Sequence, residues 1–191
     1  MDFHTLCIGC RTYRRFKQKQ IPEEIFDELL ENARIANSAM NGQPLRYVLV
    51  KTSEAVRKIQ PCFHFAAALP KELGQPKEGE QPTAFIILCT EGPETPWTGI
   101  DIGIAVRTMN LNAYIHGVGS CIIGNVEFEK VKEILSIPET WIPRLALALG
   151  YPSHKSTIVE LPEDGSVKYY LDEERQYYVP KRKRKDISII R

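Results

Sequence analysis

The chain has 191 residues, 43% of them apolar and 26% charged, with a formal net charge of +1. That size and balance suit one globular domain with a substantial core, and the near-neutral charge supplies no field to draw in nucleic acid or a membrane surface. No apolar run approaches a membrane span, Met1-Asp2-Phe3-His4 lacks the basic-then-apolar layout of a signal peptide, and five cysteines are an odd number for a disulfide framework. The chain therefore reads as cytoplasmic, with reduced thiols.

Cys7-Ile8-Gly9-Cys10 is a lone C-x-x-C. A closed zinc or iron-sulfur site needs about four ligands and no second pair exists, so a structural role is expected, with a redox role as the minority reading. Arg11, Thr12 and Arg14 then place two permanent cations and a hydroxyl within four residues, before a turn. Guanidinium forks grip a phosphate bidentately, although an isolated basic hexamer is more often solvated surface. Pro22-Glu23-Glu24 reads as a helix first turn, with Ile25, Leu29, Ala33 and Ala36 as its core stripe. Ser38, Asn41 and Gln43 lie in the polar loop that follows, and Arg46 to Val50 reads as a strand.

Ser53 to Ile59 reads as a short helix, Phe63 to Leu69 as another, and Lys71 to Pro82 as an exposed loop. Ala84-Phe-Ile-Ile-Leu-Cys89 is an apolar run of strand length, expected to be buried on both faces. From Asp101 a helix apolar around more than one face runs to Gly117 and Gly119, and a buried strand follows over Ser120 to Ile123. Its end, Ile123-Gly124-Asn125, allows close approach of backbone to a planar ring, although a plain turn reads equally well. A helix over Glu127 to Leu135, a strand over Arg144 to Gly150, a hairpin arm at Val167 to Leu171 and a terminal strand at Ile187 to Ile190 complete the elements. The run Lys181 to Lys185 would ordinarily be a solvated tail. Four histidines show no ligand spacing, so no metal site is expected, and no P-loop, G-x-S-x-G or dinucleotide G-x-G-x-x-G is present. The elements indicate an α+β or α/β protein.

Taken in order, the opening Arg11-Thr12-Tyr13-Arg14, the block from Ala33 to Pro44, the helix from Asp101 leading into Gly117-Val-Gly-Ser-Cys-Ile-Ile-Gly124, and Leu149-Gly-Tyr-Pro152 resemble the flavin-dependent nitroreductase family. The match runs from about residue 9 to the end of the chain and is weakest in the middle. The resemblance implies an α+β fold with a mixed central sheet flanked by helices, built as an intertwined homodimer. It implies one flavin-binding domain over 1–191, with 179–191 as an arm reaching the partner subunit. The cofactor would be flavin mononucleotide (FMN), reduced by NADH or NADPH, and the partner a small electron-poor acceptor such as a nitroaromatic, quinone or enone. The flavin carries the chemistry, so no catalytic side chain is implied.

By the same resemblance, Arg11, Thr12 and Arg14 hold the flavin phosphate and ribityl chain, and Ser38, Asn41 and Gln43 reach the flavin ring of the partner subunit. Ile123, Gly124 and Asn125 neighbour the hydride-accepting nitrogen, and one of Lys181, Arg182, Lys183 and Arg184, with Arg184 first and Arg182 next, adds a cation at the phosphate. Cys10 stands where many members carry a further arginine, Asn37 where proline is usual, and Leu45 where tryptophan is usual. The short stretch Thr52 to Gln81 implies an open site. The alternative is a non-enzymatic flavin-binding or redox-sensing protein, suggested by Cys7 and Cys10.

Overall fold

A computed structural model describes residues 1–191, the side chain of Lys71 apart. The chain runs α1 (Phe3–Gly9), β1 (Phe16–Lys17), α2 (Glu23–Arg34), β2 (Leu45–Val50), α3 (Ser53–Ile59), α4 (Lys71–Gly74), β3 (Ala84–Glu91), α5 (Thr98–Ile115), β4 (Gly119–Ile123), α6 (Phe128–Leu135), β5 (Trp141–Pro152), β6 (Ser156–Glu160), β7 (Tyr170–Leu171) and β8 (Tyr177–Lys181). In the five-stranded sheet β2, β3 and β5 lie in that order. The far side of β5 pairs with β4 along residues 146–150 and with β1 at its end. Its ladders are antiparallel; parallel pairing occurs at the Thr12–Ser120 bridge and between β6 and β8 in a second, three-stranded sheet.

Strand alternation divides the core into two layers. Phe85, Ile87 and Cys89 of β3, with Ala146 and Ala148 of β5, pack against Val56 and Ile59 of α3 and Val131 of α6. Ile86, Leu88, Leu147 and Leu149 face the other way, onto Leu29 of α2 and Val106, Met109 and Ala113 of α5. β3 is thus buried on both faces, which is why it carries no polar alternation. Two glycines permit close contacts: a Cβ at Gly119 would lie 2.8 Å from the Tyr13 ring and 2.5 Å from Pro152 Cγ, and one at Gly150 would lie 2.8 Å from Phe16.

Several elements depart from the sequence reading. Phe63 to Leu69 forms no helix: Phe63 bridges Val126, and Ala66 adopts a left-handed φ of 49°. The expected loop at Lys71 to Pro82 opens with α4. α5 is buried along one side only, leaving Ile100, Ile104 and Ile115 exposed in the protomer. Ile187 to Ile190 is not a strand, because within the protomer no strand edge lies beside it; its isoleucines are 68–85% exposed. β6 and β8 were not anticipated, and β8 absorbs Lys181 from the basic tail. No helix among the described residues is long and apolar enough to cross a membrane.

Candidate functional site

The turn between α1 and β1, the middle of α5, β4 and the second sheet enclose a cavity of 230 Å³. Arg11, Thr12 and Arg14 line it together, as their spacing suggested. Arg11 is steered by a 2.6 Å hydrogen bond from its guanidinium to the Cys7 carbonyl. Arg14 is held twice. Its guanidinium lies over the rings of Tyr169 and Tyr177, 4.8 and 5.0 Å from their centroids, and its backbone N–H donates to His154 Nε2 at 3.0 Å. Since Nε2 accepts, Nδ1 must carry the proton and donate to the Lys155 carbonyl at 2.9 Å. Burial, with Arg15, Arg14 and Arg175 nearby, lowers the His154 pKa to about 4, so the ring is a neutral acceptor at ordinary pH.

Arg11, Arg14 and Ser156 line this cavity, and each carries a buried polar atom without a hydrogen-bond partner, Nε in the two arginines and the hydroxyl in Ser156. Buried polar groups left unpaired are costly, so three such residues around one cavity, two of them guanidinium donors, suit an acceptor-rich, anionic group. Lys181 adds a cation from the end of β8. A second network closes the floor: the Cys10 thiol donates to Asn110 Oδ1 at 2.9 Å, Arg107 reaches the same oxygen, and Asn110 Nδ2 donates to the Ser120 hydroxyl. Burial pushes the Cys10 thiol up despite Arg107 and Arg11, which makes it a poor nucleophile. All five cysteines are free.

The remaining expected residues fall elsewhere. Ser38 and Gln43 line a separate cavity with Asp101 and Tyr47, which shares no residue with the first within the protomer. The Ser38 hydroxyl is committed to the loop itself, donating to buried Asp101 at 3.1 Å and accepting from the Gln43 N–H at 2.9 Å. Met40, Asn41 and Gln43 all take left-handed φ, and Asn41 and Gln43 are exposed. Asn41 lines neither cavity. At the end of β4, alternation places Ile122 on the first cavity and turns Ile123 into the core, with Gly124 and Asn125 exposed and off the cavity. Arg182 and Arg184 are also off it; Lys181 is the basic residue that lines it, because it shares a strand face with Val179. Arg15 is buried away from the cavity, donating to the Arg175 carbonyl and lying 4.0 Å from Glu80, which Arg175 pairs at 2.9 Å.

Sequence reasoning missed Arg107, Asn110, Ser120, Ser156 and Tyr169 as cavity residues, and ranked Arg184 and Arg182 above Lys181 among the basic residues of the tail. Arg107 and Asn110 carried a readable signal, a cation and an amide one turn apart on a mostly apolar helix.

Fold and site together define an α+β protein with a cationic, donor-lined cavity at one edge of its sheet. A family model described as the nitroreductase family matches residues 9–151, and the chain belongs to that family. A protein of Methanothermobacter thermautotrophicus, provisionally named NADH dehydrogenase/NAD(P)H nitroreductase, is 29% identical over 150 residues, covering 75% of this chain and 73% of its own. An FMN reductase [NAD(P)H] of Bacillus subtilis is 25% identical over 169 residues, 76% of this chain and 64% of the relative. Among solved structures, an FMN-dependent nitroreductase of Clostridium difficile superposes with a TM-score of 0.64 at 19% identity, covering 78% of this chain and 90% of that one. Ser156, Tyr169, Val179 and Lys181 lie beyond the matched 9–151, so part of the cavity wall is built by the chain's own C-terminal sheet.

Proposed function

We propose that this chain is an FMN-dependent oxidoreductase that takes hydride from NADH or NADPH and passes it to an electron-poor acceptor, a nitroaromatic, quinone or enone, in a ping-pong cycle. The observation that carries the reading is the set of unpartnered buried donors on Arg11, Arg14 and Ser156, within a cavity that also holds Thr12 and Lys181. This donor set fits the phosphate end of FMN. When bound, FMN supplies two-electron redox chemistry between a nicotinamide and the acceptor. The chain's own residues bind and orient. Arg11 and Arg14 contribute charge-assisted donors, Thr12 and Ser156 hydroxyls, and Lys181 a point charge. Tyr169 and Tyr177 keep the Arg14 guanidinium in place.

The working unit is a homodimer within one single-domain chain design, acting in the cytoplasm. α5 supports it: Ile100, Ile104 and Ile115 are exposed, Leu111 is half-buried, and these positions fall on one helix face. Gly99 and Gly103 beside them have nothing within 4 Å of a Cβ, leaving room for a second helix. The left-handed loop at 40–43, anchored to Asp101 yet exposed, would then present Asn41 and Gln43 to the partner's flavin; the arm expected from 179 starts only after β8, so residues 182–191 would lie on the partner.

The direct test is titration of apo-protein with FMN. Each charge-assisted bond contributes roughly 1.5–3 kcal/mol, so Arg11→Ala and Arg14→Ala should each raise Kd by about one to two orders of magnitude. Unchanged affinity in both variants would move the phosphate elsewhere.

A further inference from the structure

A second cavity, of 610 Å³, lies where the chain leaves β1 and enters β3 and shares no residue with the anion cavity. It too is marked by buried polar atoms without partners, Gln60 Oε1 and Thr83 Oγ1, and Thr83 is only 7% exposed. Its volume is within the 300–1,000 Å³ typical of small-molecule sites.

The chemistry of this lining differs from that of the first. The unpartnered atoms at Arg11 and Arg14 are donors and call for an anion, whereas an amide carbonyl oxygen at Gln60 accepts, so an occupant must bring N–H or O–H. Gln18, Gln20 and Gln81 join Gln60, giving four primary amides on three stretches of chain; the Gln18 amide already donates to the Gln81 carbonyl at 2.9 Å, which leaves Gln20, Gln60 and Gln81 to meet an occupant. Arg57 and Glu78 are of opposite sign and leave no net charge to select an ion. Val56 and Pro61 provide apolar wall. No cluster of three or more histidine, cysteine or acidic groups suited to a metal exists among the described residues.

We propose that this cavity binds an adenine-type nucleobase. A glutamine amide presents an acceptor and a donor side by side, matching the exocyclic amine and adjacent ring nitrogen of adenine, and several glutamines in one pocket favour a flat ligand rich in both. A simple anion would leave the Gln60 oxygen unpaired, and an apolar ligand would leave both buried atoms unpaired.

The test uses the full chain, with and without saturating FMN, and titrates adenosine and, separately, sucrose by ligand-observed NMR and calorimetry. Saturable adenosine binding that FMN does not displace, with no sucrose binding, is the expected result. Gln60→Leu and Thr83→Val should each weaken adenosine binding about tenfold, and Gln20→Ala, at an exposed position that leaves the core intact, severalfold, while FMN affinity stays unchanged. The proposal is overturned if adenosine shows no saturable binding up to about 5 mM, if sucrose binds in its place, or if the folded variants bind adenosine as the parent does. Because adenosine is read directly, failure here is separate from failure of FMN to bind.

Discussion

His154 ties the anion cavity to the protein's acid stability. Its ring is buried between Tyr13 and Tyr177, its Nε2 receives the Arg14 N–H, and Arg14, Arg15 and Arg175 surround it. The folded-state pKa of about 4 lies below the ordinary 6.5, so between those values the unfolded chain binds the extra proton. Stability from this residue is therefore complete above about pH 6.5 and drains away as pH falls towards 4, by roughly 3 kcal/mol in total. Urea unfolding at pH 7 and pH 5 should show the parent losing about 2 kcal/mol more than His154→Gln, which cannot titrate. Equal losses in the two proteins would show that the ring is not held neutral by its surroundings. The Arg11, Thr12 and Arg14 cluster was readable because the ordered family resemblance picks it out; by composition alone it would have passed as solvated surface. The contributions of Ser156 and Tyr169 were not, nor was the choice of Lys181 among the basic residues 181–184, since these reach the cavity only once residues 156–181 form a second sheet beside it.

At the scale of elements, β3, β5, α2, α3 and α6 were legible because their apolar periodicity is set by a two-layer core that needs nothing beyond the chain. The misread strands share one cause. A strand exists only with an edge to pair with, and neither the β6–β8 pairing nor the unpaired state of Ile187 to Ile190 is encoded in local pattern. Gly150 illustrates a packing constraint that its strand context conceals: β1 crosses β5 so closely that the Phe16 ring occupies the position of a side chain. Gly150→Ala should cost about 1–3 kcal/mol in chemical denaturation, whereas Gly103→Ala, where nothing lies within 4 Å in the protomer, should be neutral in a monomer but weaken a dimer. The exposed stripe on α5 makes the companion prediction. Ile104→Lys should shift the protein to monomer in light scattering and lower its flavin content, and an unaltered dimer would remove α5 from the interface.

For the whole molecule, the anion cavity and the 38–43 loop line separate spaces in one protomer, although the proposed chemistry needs both at one flavin. The proposed dimer would bring them together, and the terminal isoleucines and the free outer edge of β2 are further surfaces that a second copy could cover. The buried, tethered Cys10 thiol weighs against thiol redox sensing through Cys10; the choice between flavin catalysis and mere flavin binding falls to hydride uptake. An absorption spectrum before and after adding NADH or NADPH tests this most directly. Purified or FMN-reconstituted protein should show the bands of oxidised flavin, lose them on adding the nicotinamide under anaerobic conditions, and regain them on adding a quinone or nitroaromatic. Protein that takes up no FMN, or whose bound flavin neither nicotinamide bleaches, would contradict the account.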